Sequence, residues 1–212
     1  MTKNTREANI RRIIELEDRI GQCRRCQGLM TCVRKPSLGK GDLDPEMVLV
    51  FESENVFTAD LNNLIELRSR IKKEFGIDKI YHTFMVRCKP KSCSVRQSTN
   101  YYVEGKLIDI DSKCLLTGKG CDGIPIRPLT EEIISCLSYI LEEINILKPR
   151  YIVLFGDRVS EFILKSFGIF DNLDSEVCFQ SNDMAIFTTV YEKDFDSYEC
   201  QKLNRYRIVR CV

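Results

Sequence analysis

Apolar residues over positions 8 to 20 recur near a 3.6-residue period, with Ile10, Ile13, Ile14 and Ile20 on one side, which predicts an amphipathic helix. Met47, Val48, Leu49, Val50 and Phe51 then form a short unbroken apolar run, the pattern of a strand buried on both faces of a parallel sheet. Helical spacing returns over 60 to 75, through Leu61, Leu64, Ile65, Ile71 and Phe75, with Gly76 as the stop. Residues 81 to 86 predict a second strand. The clearest helix spans 130 to 147. Thr130 is its expected N-cap, Glu131 and Glu132 suit the positive end of its dipole, and Lys148-Pro149 ends it. Tyr151 to Phe155 is a third buried strand. Gly156-Asp157 turns into a helix over 157 to 167, closed by Gly168. Residues 184 to 190 form a fourth strand, and a last helix falls between 194 and 206.

This alternation predicts an α/β fold: a three-layer α/β/α sandwich around a central, mainly parallel four-stranded sheet. In such sheets ligands bind beyond the carboxyl ends of the strands. The loops after Phe51, Val86, Phe155 and Val190 are therefore the places to look. The stretch from about 92 to 127 breaks the rhythm and reads as an insertion within one domain covering 1–212.

Composition narrows the chemistry. With 212 residues, 43% hydrophobic and 30% charged, the chain can bury a real core. Lys plus Arg is 32 and Asp plus Glu 31, so the net charge of +1 excludes a bulk polycation; any nucleic-acid contact must be a local patch. No apolar run approaches the roughly 18 residues of a membrane span. The first residues lack a secretory signal, and cytoplasmic residence is expected. There are 11 cysteines and a single histidine, His82. That ratio argues against a disulfide framework and for thiolate ligation. It also excludes His-rich zinc chemistry. His82 itself sits in the second strand and reads as a satisfied structural residue.

Cys23-Arg24-Arg25-Cys26 is a C-x2-C pair in a polar stretch, a spacing that lets two sulfurs chelate one centre. Zinc and iron–sulfur clusters both use such pairs, so the spacing leaves the metal open. Cys88, in Val86-Arg87-Cys88-Lys89-Pro90, and Cys136, in the long helix, are the next informative thiols. The ordered set of this C-x2-C pair, the Gly39-Lys40-Gly41 turn, an apolar strand ending at Glu52, Arg87-Cys88-Lys89-Pro90, then Glu132-Ile133 with Cys136 and Tyr139, and Ile152 through Gly156 resembles the iron–sulfur uracil-DNA glycosylases of the family-four type. The resemblance runs over roughly residues 15 to 165. It implies a uracil-DNA glycosylase-like fold and a [4Fe-4S] cluster on Cys23, Cys26, Cys88 and Cys136. Zinc is the alternative metal; Cys93, Cys114 or Cys121 of the insertion are alternative ligands, either replacing Cys136 or binding a separate zinc with Cys32. Cys178, Cys200 and Cys211 read as unligated thiols.

The resemblance also implies where base-excision chemistry would sit, and there the chain departs from it. Breaking an N-glycosidic bond needs a placed water and a donor for the departing base. Of the family's Gly-Glu-x-Pro-Gly loop only Glu52 remains; the alternative for Glu52 is a solvated or capping carboxylate. Phe57 stands where an aromatic would stack on the base. Phe84 replaces the selecting Asn, so its only contact with a base would be stacking. Tyr191 replaces the His of the last loop. Glu52 and Tyr191 are thus the candidate catalytic residues, and Phe57 and Phe84 the base-stacking ones. Arg24, Arg25, Arg34, Lys35 and Lys40 near the first ligands, with Arg87, Lys89, Lys91 and Arg96 near the third, are candidates for phosphate contact with single- or double-stranded DNA. Tyr101 and Tyr102 offer either a stacking platform or a small local core. Three functions compete: a DNA-binding cluster protein with degraded excision chemistry, an active glycosylase with altered chemistry, and a zinc-stapled interaction protein.

Overall fold

The structure, a computed structural model, describes residues 2–26, 36–89, 91–92, 124–170, 176–181 and 183–210. In chain order it contains α1 (Thr2–Gly21), β1 (Lys40–Gly41), β2 (Met47–Phe51), α2 (Val56–Ala59), α3 (Leu61–Phe75), β3 (Ile80–Phe84), β4 (Lys91–Ser92), β5 (Ile124–Pro125), α4 (Thr130–Leu147), β6 (Tyr151–Phe155), α5 (Asp157–Ser166), β7 (Cys178–Ser181), β8 (Met184–Thr189) and α6 (Ser197–Arg210). A 3-10 turn at Glu192–Asp194 precedes α6.

The main sheet has the order β1-β3-β2-β6-β8-β7. The expected four strands are its parallel centre, β3-β2-β6-β8, with Met47 opposite Ile80 and Tyr151, and Phe155 opposite Thr189. It is larger than expected because β1 and β7 add antiparallel edges. These edges have two and four residues, too short for a hydrophobic period to show. β4 and β5 pair separately at the two ends of the insertion. Residues 93–123 lie outside the described residues, with Cys93, Cys114, Cys121, Arg96 and the tyrosine pair among them.

Strand side chains alternate between two buried layers. Val48, Val50, Ile152, Leu154 and Ile186 pack with α1, α4 and α5. Met47, Leu49, Phe51, Val153, Phe155 and Phe187 pack with α3 and α6. The three-layer sandwich is therefore present. Element ends shift by a few residues from expectation. α4 is capped one position earlier, at Leu129, whose backbone N–H donates to the Glu132 carboxylate at 2.7 Å. α6 begins at Ser197 because the chain first makes the 3-10 turn. Among the described residues no helix is long and apolar enough to cross a membrane.

Three polar side chains, His82, Thr83 and Arg87, are buried on β3 and in the loop after it. Arg87, expected on a DNA-facing surface, is instead wholly buried, and its guanidinium pairs with Glu143 of α4. Glu143 also accepts from Tyr81 Oη at 2.8 Å and Thr83 Oγ1 at 2.5 Å, while Arg87 donates to Thr83 Oγ1 at 2.6 Å. The charged side chain that looked like surface in sequence is the pin between β3 and α4. Gly39 is needed for the same reason: a Cβ there would overlap the Tyr81 ring. His82 is structural, as expected, but not satisfied: its ring lies among Phe51 and Phe84, and its Nδ1 has no hydrogen-bond partner.

Removing one member of the buried pair strands the other. Glu143→Leu should lose about 3–5 kcal/mol of unfolding free energy in urea titrations, and Arg87→Met with Glu143→Leu should regain more than half of it. Burial, reinforced by Arg68 and Lys40, pushes the His82 pKa down to about 4 from an ordinary 6.5. Between these values the unfolded chain takes up a proton that the folded protein refuses, so stability falls as pH drops from about 6.5 to 4, by roughly 1.4 kcal/mol per pH unit. His82→Leu should remove that component of the wild-type acid slope, as read by urea unfolding across this range.

Candidate functional site: a thiol cavity and a pocket at the strand ends

Four of the cysteines come together. Cys23 and Cys26 follow α1, Cys88 follows β3, and Cys136 lies on the buried face of α4; with Tyr139 and Arg87 they line one small cavity. None of the four is in a disulfide. Local contacts explain how so polar a loop is held there. Arg25 donates to Ser135 O at 3.0 Å and Ser138 Oγ at 2.8 Å, and its guanidinium stacks 4.7 Å from the Tyr139 ring centre. The Arg87 backbone N–H points at Cys136 Sγ, 3.4 Å away. Burial, and then the charge of the neighbouring thiols, pushes Cys26 up to about 11 and Cys88 up to about 12; burial also raises Cys136. Among the described residues, no group of three or more His, Cys, Asp or Glu is arranged to hold a single metal ion.

A second site lies where the fold class places ligands, beyond the carboxyl ends of β2, β6 and β8. It is a cavity of about 390 Å³ lined by Glu52, Asn55, Arg127, Tyr191 and Lys193 among others. Glu52 and Tyr191, distant in sequence, face it together. Glu52 is 13% exposed and is held by two guanidinium groups: Arg158, in the first turn of α5, at 2.7 Å and Arg127 at 3.4 Å. Arg158 also donates to Pro128 O at 3.0 Å, which leaves it little freedom. Arg127 donates to the Tyr191 hydroxyl at 2.6 Å. Tyr191 thus receives a hydrogen bond and keeps its own O–H for another acceptor. Gly156 makes room for this ring: its φ of +89° is strained for any other residue, and a Cβ there would lie 2.5 Å from Tyr191 Cε1. Asn55 caps α2 and donates to Glu192, which is buried behind the pocket.

The remaining expected residues do not join this pocket. Phe84 is buried in the core beside Phe51 and reaches a different cavity, of about 510 Å³, between β3 and the start of α3. Phe84 therefore does not share the strand-end pocket with Glu52 and Tyr191. Phe57 is half-buried against the α3 layer, and its carbonyl accepts from Asn63. The expected basic face also divides. Arg24 and Lys40 are exposed. Arg25 is spent on α4, and Lys89 is ion-paired with Glu54, which also accepts from Ser37 at 2.5 Å. Lys91 lies in β4, while Arg34, Lys35 and Cys32 fall outside the described residues. Cys178 and Cys200 are buried in the core.

Sequence reading missed Arg127, Arg158, Asn55 and Lys193. Arg158 had a usable signal, since it is the second residue of the helix that follows Gly156, at a strand end already marked as a ligand position. Arg127 had none, because its partner Glu52 is far away in sequence.

The Uracil DNA glycosylase superfamily model matches residues 43–209. No curated protein matches the chain. The match takes in the whole parallel sheet, both residues that face the strand-end pocket and two of the four convergent thiols, so the chain belongs to the uracil DNA glycosylase superfamily.

Proposed function

We propose that this chain is a DNA-binding [4Fe-4S] protein of its superfamily in which ordinary uracil excision has been lost or altered. The observation that carries the reading is the state of Glu52. Its carboxylate is already engaged by Arg158 at 2.7 Å and faces Arg127 at 3.4 Å, so it is not free to hold and orient a water in the way base excision needs. Phe84 adds to this, since a phenyl ring has no amide with which to read a uracil edge.

Support for the cofactor comes from the thiol cavity. Cys23, Cys26, Cys88 and Cys136 would hold the cluster. A tetrahedral zinc draws four sulfurs to about 2.3 Å from one point, whereas a cubane cluster spreads its ligands over the corners of an inorganic core. The four thiols line one cavity, and their order along the chain is the one that the resemblance assigns to a cluster. The cluster would supply a structural cross-link; the chain's own residues would bind and orient the nucleic acid.

A second reading, an active glycosylase acting on another base, is favoured by one contact. Arg127 donates to the Tyr191 phenol and leaves its O–H free, so Tyr191 has the character of a donor for a departing base anion.

Anaerobically purified protein should be brown and contain close to four iron and four sulfide per chain. Cys88→Ser and Cys136→Ser should each lose most of both; a colourless, zinc-containing wild type would refute the cluster. Cluster-loaded protein should retard single- or double-stranded DNA in gel shifts yet leave uracil-containing oligonucleotides uncut after abasic-site cleavage. Cutting that depends on Tyr191, tested with Tyr191→Phe on oligonucleotides bearing uracil, hypoxanthine or other damaged bases, would establish the second reading instead.

A further inference from the structure

The strand-end pocket has an uneven arrangement of charge. Arg158 is committed to Glu52 and Pro128 O, and Glu192 is committed to Asn55. Lys193 is exposed, lines the pocket and has no ion-pair partner among the described residues. Arg127 is in between. Its side chain is 59% exposed, and its contact with Glu52 is long, at 3.4 Å. An exposed ion pair at this distance holds its partners weakly. A phosphate offers the same guanidinium a better, two-pronged acceptor. If Arg127 lets go, Glu52 still has Arg158, so no half-buried carboxylate is left alone, and the Tyr191 hydroxyl is uncovered.

Three exposed apolar residues are sequence neighbours of pocket-lining ones: Val56, next to Asn55, is 81% exposed; Leu129, next to Pro128, is 47% exposed; Val190, next to Tyr191, is 36% exposed. Exposed apolar side chains carried by the same segments as Arg127 and Lys193 suit an unstacked nucleic-acid strand, whose bases meet apolar groups while its phosphates meet the cations.

We propose that Arg127 is a phosphate-responsive latch: in the free protein it bridges Glu52 and Tyr191 across the pocket, and on binding a single DNA strand it turns, with Lys193, to a backbone phosphate and opens the pocket. This rests on the DNA-binding reading above and adds to it which residues make the contact. It moves the principal phosphate contacts from the cysteine-rich loops, where Arg25, Arg87 and Lys89 are otherwise engaged, to the segment after the insertion.

The test is fluorescence anisotropy of full-length, cluster-loaded protein with a labelled oligodeoxythymidine, titrated at several salt concentrations between about 50 and 200 mM. Arg127→Ala and Lys193→Ala should each lower the slope of log affinity against log salt by about one, and Arg127→Lys should keep the wild-type slope. Arg150→Ala, an exposed arginine at the opposite end of the sheet, should leave it unchanged. Glu52→Gln should tighten binding several-fold in the wild-type background and much less beside Arg127→Ala, because the gain comes from releasing Arg127. An unchanged slope in Arg127→Ala overturns the phosphate contact, and equal tightening by Glu52→Gln in both backgrounds overturns the latch. If wild-type protein has no affinity for the oligonucleotide, the DNA-binding reading fails and the latch with it, a pattern distinct from either single failure.

Discussion

A guanidinium buried without a counter-charge is among the costliest groups a fold can carry, and this fold buries a guanidinium at its centre together with its counter-charge. Arg87 is tolerable only because Glu143 of α4 reaches it, and Glu143 is tolerable only because Arg87, Tyr81 and Thr83 together satisfy it. The pair therefore fixes the distance and rotation of α4 relative to the end of β3. One residue past Arg87 is Cys88, and two helical turns before Glu143 is Cys136. Their juxtaposition is a consequence of the ion pair. The register is checked again by the Arg87 N–H contact to the Cys136 sulfur. The α1 side of the cavity is held by weaker means, namely Arg25 and its contacts to Ser135, Ser138 and Tyr139.

The parallel centre of the sheet was legible above all because β2 and β6 are short apolar runs buried on both faces, and such runs have few other readings. Met47–Phe51 and Tyr151–Phe155 begin and end where the sequence places them. The edge strands were not legible. Lys40–Gly41 pairs with β3 through backbone alone, and its side chains contribute no pattern. The site was half legible. Cysteine spacing and order marked the four thiols that meet, and strand ends marked Glu52 and Tyr191. What sequence could not convey is how a charge is used. Arg87 and Arg25 look like surface residues in a chain with 30% charged residues, yet one is a buried counter-ion and the other a clamp on a helix. Pairing with a residue more than a hundred positions away, as for Arg25 with Ser138 or Arg158 with Glu52, leaves no local trace.

Phe84 shows how the loss of a reading group and the gain of a core can be one event. An amide at the end of β3 would need a polar partner, whereas a phenyl ring there closes against Phe51 and His82. Once the ring is packed, the cavity beside it is separated from the one containing Tyr191. The positions that the resemblance assigns to a single pocket then lie in different surroundings. His82 fits the same picture, a polar side chain kept neutral within an aromatic layer.

The two sites are nonetheless mechanically joined. Beyond their last paired residues, β2 and β3 continue side by side for two further hydrogen bonds, Met85 N–H to Phe51 O at 2.7 Å and Val86 N–H to Glu52 O at 2.8 Å. The main chain of Glu52 is thus bonded to the residue that precedes Arg87, whose own N–H meets Cys136. A side chain's position is only as firm as the backbone that carries it, and this backbone runs from the strand-end pocket to the thiol cavity without an unpaired step. Whatever holds the four thiols together therefore also holds Glu52 at the angle at which two arginines can reach it. That connection gives the thiol cavity a consequence at the strand ends: loosening the thiols would shift the backbone that carries Glu52.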